Sequence, residues 1–170
     1  RELQARSGGR MRFVWSLARG AQPPSDIATA PNVEIVRPRS REYAERLLSA
    51  RHVITNSTLP DYAFRRDGQD WWNTWHGIPI KAMGRDAERH LGILANVQRN
   101  FLQASGLPLA GEYAASAILD PYYASPLTRP KARFVGSPRI DLTLKADAAQ
   151  MRSRLGAAPG QAVFLYAPTW

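Results

Sequence analysis

Apolar and polar positions alternate along Val33-Glu34-Ile35-Val36, the two-residue period of a strand with one buried face. Behind it, Tyr43, Leu47 and Leu48 recur at helical spacing after Ser40, whose hydroxyl can cap a helix running to about Ala50. Val53-Ile54-Thr55 follows as a β-branched run. Strand, helix, strand at this spacing predicts an α/β domain with a parallel sheet.

The same pattern extends both ways. Arg12 to Leu17 reads as a short buried strand, followed by a polar, proline-containing loop through Pro31. A turn at Gly68 precedes a strand over Asp70 to Trp75, in which Trp71 and Trp75 share one face and Trp72 takes the other. Gly77-Ile78-Pro79 ends that strand, and Pro79 suits the first turn of a new helix. Helices are predicted over 88–104, over 111–119 and over 145–155, the last closed by Gly156. Ala132 to Val135 and Ala162 to Tyr166 read as strands, the latter as a buried one. A central strand needs a covering helix, so ending four residues later, like opening on Arg1 without Met, predicts a fragment of a longer chain.

Composition adds three constraints. The 170 residues are 44% hydrophobic and 22% charged, enough for a sizeable core. Cysteine is absent, which excludes disulfides, thiolate nucleophiles and Cys-based zinc sites. The 23 Lys and Arg against 14 Asp and Glu give a net charge of +9, an excess that attracts polyanions, anionic lipid or phosphate-rich substrates. The Arg- and Ala-rich usage of a GC-rich genome accounts for that charge equally well. No apolar run reaches the roughly 20 residues of a membrane span.

Several chemistries lose support. The chain has no Gly-x-Gly-x-x-Gly, no phosphate loop ending Gly-Lys-Ser/Thr, no Gly-x-Ser-x-Gly elbow and no Asp-x-Asp pair. Its three histidines are too scattered for a metal site. Among them, His52 and His90 read as surface residues. His76 differs because a strand delivers it into a Gly-Ile-Pro turn, where parallel α/β folds build their sites. A helix starting at Pro79 would aim backbone N–H groups at an anion, with Lys81 adding a mobile positive charge. An imidazole, with an ordinary pKa of about 6.5, can act as a general base at neutral pH. A structural, hydrogen-bonded histidine fits the same spacing. The tryptophans suit a core better than a stacking platform.

From Val53 onward a series of blocks appears in order. These are Ile54-Thr55-Asn56-Ser57-Thr58-Leu59-Pro60, Arg65-Arg66-Asp67-Gly68-Gln69, Asn73-Thr74-Trp75-His76-Gly77-Ile78-Pro79-Ile80-Lys81 and Met83-Gly84-Arg85-Asp86. Asn96 to Phe101, Val135 to Asp141 and Leu165 to Trp170 continue the series. In these blocks the chain resembles the CDP-glycerol glycerophosphotransferase family, which includes teichoic acid primases and polymerases. The resemblance implies a Rossmann-like three-layer α/β domain, the N-terminal half of a GT-B fold of two facing halves. Residues 1–141 would form the acceptor-side half, lacking its first strand, and 142–170 would begin the nucleotide-binding half.

The implied reaction transfers glycerol phosphate from CDP-glycerol to a hydroxyl of a lipid-linked or polyol-phosphate acceptor and releases CMP. His76 matches the family's motif histidine and would take the hydroxyl proton. Lys81 and Arg139 would meet phosphate, while Asn56, Ser57 and Asp86 would shape the acceptor side. Asp86 as a helix cap and Arg139 in an interdomain ion pair are the structural alternatives. No metal and no cofactor beyond the donor substrate is implied, and no nucleic-acid partner. The expected location is the cytoplasmic face of the membrane, with the positive charge favouring an anionic surface, and this fragment alone is expected to be inactive. Two positions depart from the family pattern: Ile78 stands where Thr is usual, and Ser137 where Tyr or Phe is usual. Transfer of ribitol phosphate, sugar transfer on the same architecture, or a non-catalytic basic module binding nucleic acid or membrane are the competing readings.

Overall fold

The computed structural model describes residues 2–87 and 91–168. In chain order the regular elements are α1 (Glu2–Ser7), β1 (Phe13–Ser16), α2 (Ser25–Ala28), β2 (Val33–Val36), α3 (Arg41–Ser49), β3 (His52–Thr55) and β4 (Asp70–Asn73). They continue with α4 (Leu91–Gln103), β5 (Leu107–Leu109), α5 (Glu112–Leu119), α6 (Ser125–Thr128), β6 (Ala132–Phe134), α7 (Pro138–Leu144) and α8 (Ala148–Arg154). Single 3₁₀ turns lie at Gly84–Asp86, Asp120–Tyr122 and Arg129–Lys131. Two compact units divide between Val135 and Gly136.

All strand pairs of the first unit are parallel, as the strand–helix–strand spacing predicts. Phe13 pairs with Val33, His52 with Asp70 and Leu107 with Ala132 at the starts of three two-stranded ladders. A parallel bridge between Trp72 and Gly106 links the second ladder to the third, giving the spatial run β3, β4, β5, β6. Because the strands are parallel, their C-terminal ends share one side of this run, where the loops after Thr55 and Asn73 meet.

Local sequence accounts for the elements that frame these loops. The Ser40 hydroxyl accepts the Tyr43 N–H at 3.1 Å and starts α3, as expected from its position before the apolar stripe. Glu42 in the first turn has its carboxyl held below the usual range, chiefly by its own backbone N–H, then by Ser40 and the neighbouring Arg41 charge. At the other end, buried Gln69 donates its amide to the carbonyls of Leu47, Leu48 and Ala50, satisfying groups that a helix terminus leaves open.

The larger core gathers Phe101 and Val97 of α4, Leu107 and Leu109 of β5, and Ala114, Ala115, Ile118 and Leu119 of α5 around Trp75 and Tyr122. Phe101 is fully buried and meets Trp75 and Tyr122 at ring-centroid distances of 5.1 and 5.7 Å. A smaller cluster packs Leu47, Val53, Leu59, Ala63 and Trp71. Asn100, buried on α4, ties the 59–63 loop down: its Oδ1 accepts the Leu59 N–H at 2.8 Å and its Nδ2 donates to the Leu59 carbonyl.

The structure corrects four expectations. β1 is not buried, since Val14 and Trp15 are exposed; it pairs only with β2, and this ladder lies apart from the larger core. The loop to Pro31 contains α2, which buries Ile27. No helix begins at Pro79: Ile78 and Ile80 stand two apart, not three or four, so a helix there would have no apolar face to bury. The helix predicted over 145–155 is found as α8, starting after Asp147, whose carboxylate accepts the N–H groups of Ala149 and Gln150; the separate α7 before it was not expected. Residues 162–166 form no strand, because no described strand runs alongside to complete a ladder; Phe164, Leu165 and Tyr166 lie exposed. The helix predicted over 88–104 is found as α4, its first three positions falling outside the described residues.

Candidate functional site

β4 ends one turn earlier than its alternation suggests. Trp71 and Asn73 are buried and Trp72 is exposed against Gly106, after which the chain leaves the strand. Trp75 takes a left-handed conformation with φ of 51°, uncommon for a bulky L-residue. Its indole is buried in the larger core, whereas Trp71 is buried in the smaller cluster, and Trp72 is the most exposed of the three. Gly77 follows with φ of 131°, a conformation that favours glycine, and the backbone turns out into solvent.

This turn leaves the His76 ring exposed at the C-terminal end of β4. The imidazole stacks on Trp75 with centroids 4.3 Å apart and planes 25° from parallel. Its Nδ1 lies 2.9 Å from the backbone carbonyl of Asn56, in the loop after β3. A carbonyl oxygen can only accept, so Nδ1 carries the proton and the neutral ring keeps a lone pair on Nε2. A base oriented by a hydrogen bond through its other nitrogen is the arrangement general-base catalysis uses.

Of the other residues singled out from sequence, Asn56 and Ser57 are brought to His76. Thr55 Oγ1 closes their loop, donating to the Ser57 carbonyl at 3.1 Å and accepting the Ser57 N–H at 3.2 Å. Lys81 is exposed in the irregular stretch beyond Pro79. Asp86 closes the 3₁₀ turn Gly84–Asp86 and is paired with Arg85 at 3.4 Å. Arg139 lies on α7, in the second compact unit. Among the remaining histidines, His52 is half exposed beside Asp70 at 3.4 Å, and His90 lies outside the described residues. Among the described residues no group of three His, Asp or Glu side chains could hold a metal ion.

Sequence reasoning passed over two features. Asn73 is buried and holds the turn that presents His76; an Asn two residues before the left-handed position is the signature of an Asx turn. The second is Arg85, whose guanidinium lies 4.9 Å from the Tyr123 ring centroid. Its pKa is raised, first by a hydrogen bond with the Tyr123 side chain and then by Asp86. Gly84, with φ of 57°, brings this turn onto the backbone of Pro121. Met83 packs against the same core that holds Trp75, so one core supports both loops.

A parallel α/β unit that presents an oriented, exposed histidine beyond a strand end can place a base beside a bound substrate. The family model for CDP-glycerol:poly(glycerophosphate) glycerophosphotransferase matches residues 1–170, and the chain belongs to that family. It is 25% identical over 171 residues to a teichoic acid poly(glycerol phosphate) polymerase of Staphylococcus epidermidis, covering 94% of this chain and 23% of that protein. Identity is 26% to a polymerase of the same description from Bacillus spizizenii and to a teichoic acid glycerol-phosphate transferase of Staphylococcus aureus. Those matches cover 94% of this chain and 41% and 42% of those proteins. The chain therefore spans less than half the length of these relatives. The wall teichoic acid polymerase TagF superposes with a TM-score of 0.76 at 23% identity, over 99% of this chain and 42% of that one, a likeness of fold. A variant of that polymerase soaked with CDPG gives the same TM-score over the same shares at 22% identity.

Proposed function

We propose that this chain is the acceptor-side part of an enzyme that moves glycerol phosphate from CDP-glycerol to a hydroxyl of a teichoic-acid-like, lipid-linked acceptor. The observation that carries the reading is the 2.9 Å contact of His76 Nδ1 with the Asn56 carbonyl: a proton on Nδ1 leaves Nε2 of the exposed ring as the acceptor. As a hydroxyl oxygen attacks the phosphorus of the glycerol phosphate group, Nε2 takes its proton. The bond from that phosphorus to the bridging oxygen breaks, and CMP leaves with the electron pair. Lys81 and Arg139 would balance phosphate charge, and Asn56, Ser57 and Asp86 would line the acceptor side.

Family membership and the parallel α/β architecture support a GT-B arrangement in which 1–141 form the acceptor-side half and 142–170 open the nucleotide-binding half. On that scheme the residues holding the CDP lie outside this chain, and these 170 residues alone do not turn over donor. No described helix is long and apolar enough to cross a membrane, and the +9 charge suits an enzyme held peripherally on anionic lipid at the cytoplasmic face.

CMP release by the full-length protein tests the reading, with CDP-glycerol, CDP-ribitol and a nucleotide-sugar offered in parallel. CDP-glycerol is expected to be the best donor, and His76→Ala to remove release while leaving the fold intact. Equal release by folded wild type and His76→Ala would overturn the role of His76. Preference for a nucleotide-sugar would overturn the donor class.

A further inference from the structure

Two fixtures hold the His76 ring: the Asn56 carbonyl at Nδ1 and the Trp75 indole beneath its face. Neither is secured by its own local conformation. Trp75 occupies the left-handed region, which is unfavourable for a bulky L-residue. Asn56 belongs to an exposed loop. Such positions persist only where surrounding contacts over-determine them.

One side chain reaches both. Asn73 is 3% exposed at the end of β4. Its Oδ1 accepts the Trp75 N–H at 2.9 Å, and its Nδ2 donates to the Ser57 carbonyl at 3.3 Å. Each bond lands one residue from His76 or from its Asn56 anchor. The Asn73 backbone is itself fixed, pairing with Thr55 in the β3–β4 ladder and donating its N–H to the Gly106 carbonyl at 3.2 Å. Asn73 therefore braces the two loops against each other from inside the sheet, and both of its polar ends are in use.

We infer that Asn73 is the positioning residue of this site: it sets the tautomer and the direction of His76 by fixing the Trp75 turn and the Asn56-Ser57 loop together. This rests on the reading of His76 as the base for its catalytic meaning, though not for its geometry. Without the brace, Trp75 relaxes toward right-handed or extended backbone, the stacked ring moves, and the Nδ1–carbonyl bond is lost. The imidazole then reverts toward the Nε2–H tautomer that a free histidine side chain favours in water. That form presents a donor where the reaction needs an acceptor. A misplacement of this order costs up to about a hundred-fold in turnover.

The test labels histidine with 15N in the wild-type protein, in Asn73→Ala and in Asn73→Ser. Serine keeps an oxygen that can accept from Trp75 N–H but cannot reach Ser57. All variants are made in the full-length protein, which alone is expected to turn over donor, and the His76 signals are assigned by their absence in His76→Ala. Wild type is expected to show protonated Nδ1 and unprotonated Nε2 in neutral His76. Asn73→Ala is expected to shift His76 toward the opposite tautomer while His52 stays unchanged, with kcat falling ten- to a hundred-fold and the donor KM held. Asn73→Ser is expected to fall between the two. An unchanged His76 tautomer in either folded variant overturns the proposal, and so does a wild-type ring protonated at Nε2. If Asn73→Ala does not fold, the serine variant decides. Should His76→Ala keep full activity, the base reading falls, while the tautomer measurement still decides what Asn73 does.

Discussion

Gly84→Ala probes the joint between the Gly84–Asp86 turn and the rest of the first unit. Gly84 has φ of 57°, and an added Cβ would lie 2.4 Å from the Pro121 carbonyl oxygen, 2.7 Å from its carbon and 2.8 Å from its Cβ. The first two neighbours are backbone, and the turn they belong to ends at Tyr123, itself left-handed with φ of 54°. Neither side can yield by a rotamer change. The left-handed backbone costs an alanine about 1–2 kcal/mol, and overpacking adds about 1–3 kcal/mol, so the variant should lose about 2–5 kcal/mol. Urea unfolding followed by tryptophan fluorescence reads this as a lower midpoint at unchanged slope. Gly92→Ala is the control: it sits in α4 with nothing within 4 Å of the added methyl, and should gain about 0.5–1 kcal/mol. A Gly84→Ala midpoint equal to wild type, or below it by no more than the control shifts, would refute the reasoning.

Asn100→Leu keeps the branched skeleton but strips the partner from the buried Leu59 N–H, and should lower stability by about 2 kcal/mol in the same urea assay, while Gln98→Leu on the same helix leaves it near wild type. Glu42→Gln should change the pH dependence of stability. A carboxyl whose folded pKa is depressed contributes stability that is present above its unfolded value and lost as pH falls through the folded one. The thermal midpoint of Glu42→Gln is therefore expected below wild type at neutral pH and level with it in strong acid; parallel curves across the whole range would count against the cap.

The α/β class was legible because period-two and helical spacing follow one another over 33–55, and β2, α3 and β3 stand where that spacing puts them. Gly68 and the tryptophan pattern similarly placed β4, which ends two residues earlier than expected. What escaped was set by neighbours distant in sequence. β5 is only three residues with Pro108 at its centre, and it exists because Trp72 and Ala132 flank it. The apolar run over 162–166 has a strand's composition but no ladder partner among the described residues. α7 starts at Pro138, a position proline favours, yet its exposed Ile140, Leu142 and Leu144 stand two apart, the period of a strand and not of a helix.

The site divides in the same way. His76 stood out because a strand runs into a glycine turn, and that much is local. The chemistry of its ring was not local. Asn56 lies twenty residues earlier and reaches Nδ1 only because β3 and β4 are neighbours in register, Thr55 beside Asn73. The left-handed Trp75 replaced an expected helix at Pro79, so the environment of His76 is a carbonyl and an indole, not a row of N–H groups. Arg139 belongs to the second unit, and its role at phosphate is part of the proposed reaction.

The central claim is that His76 Nε2 accepts the proton of the attacking hydroxyl. Its most direct test is the rate of CMP release from CDP-glycerol by the full-length protein across pH, for wild type and His76→Gln. The account predicts that the variant loses turnover at every pH while binding donor as before. A folded variant that releases CMP at the wild-type rate with the wild-type pH profile would contradict it.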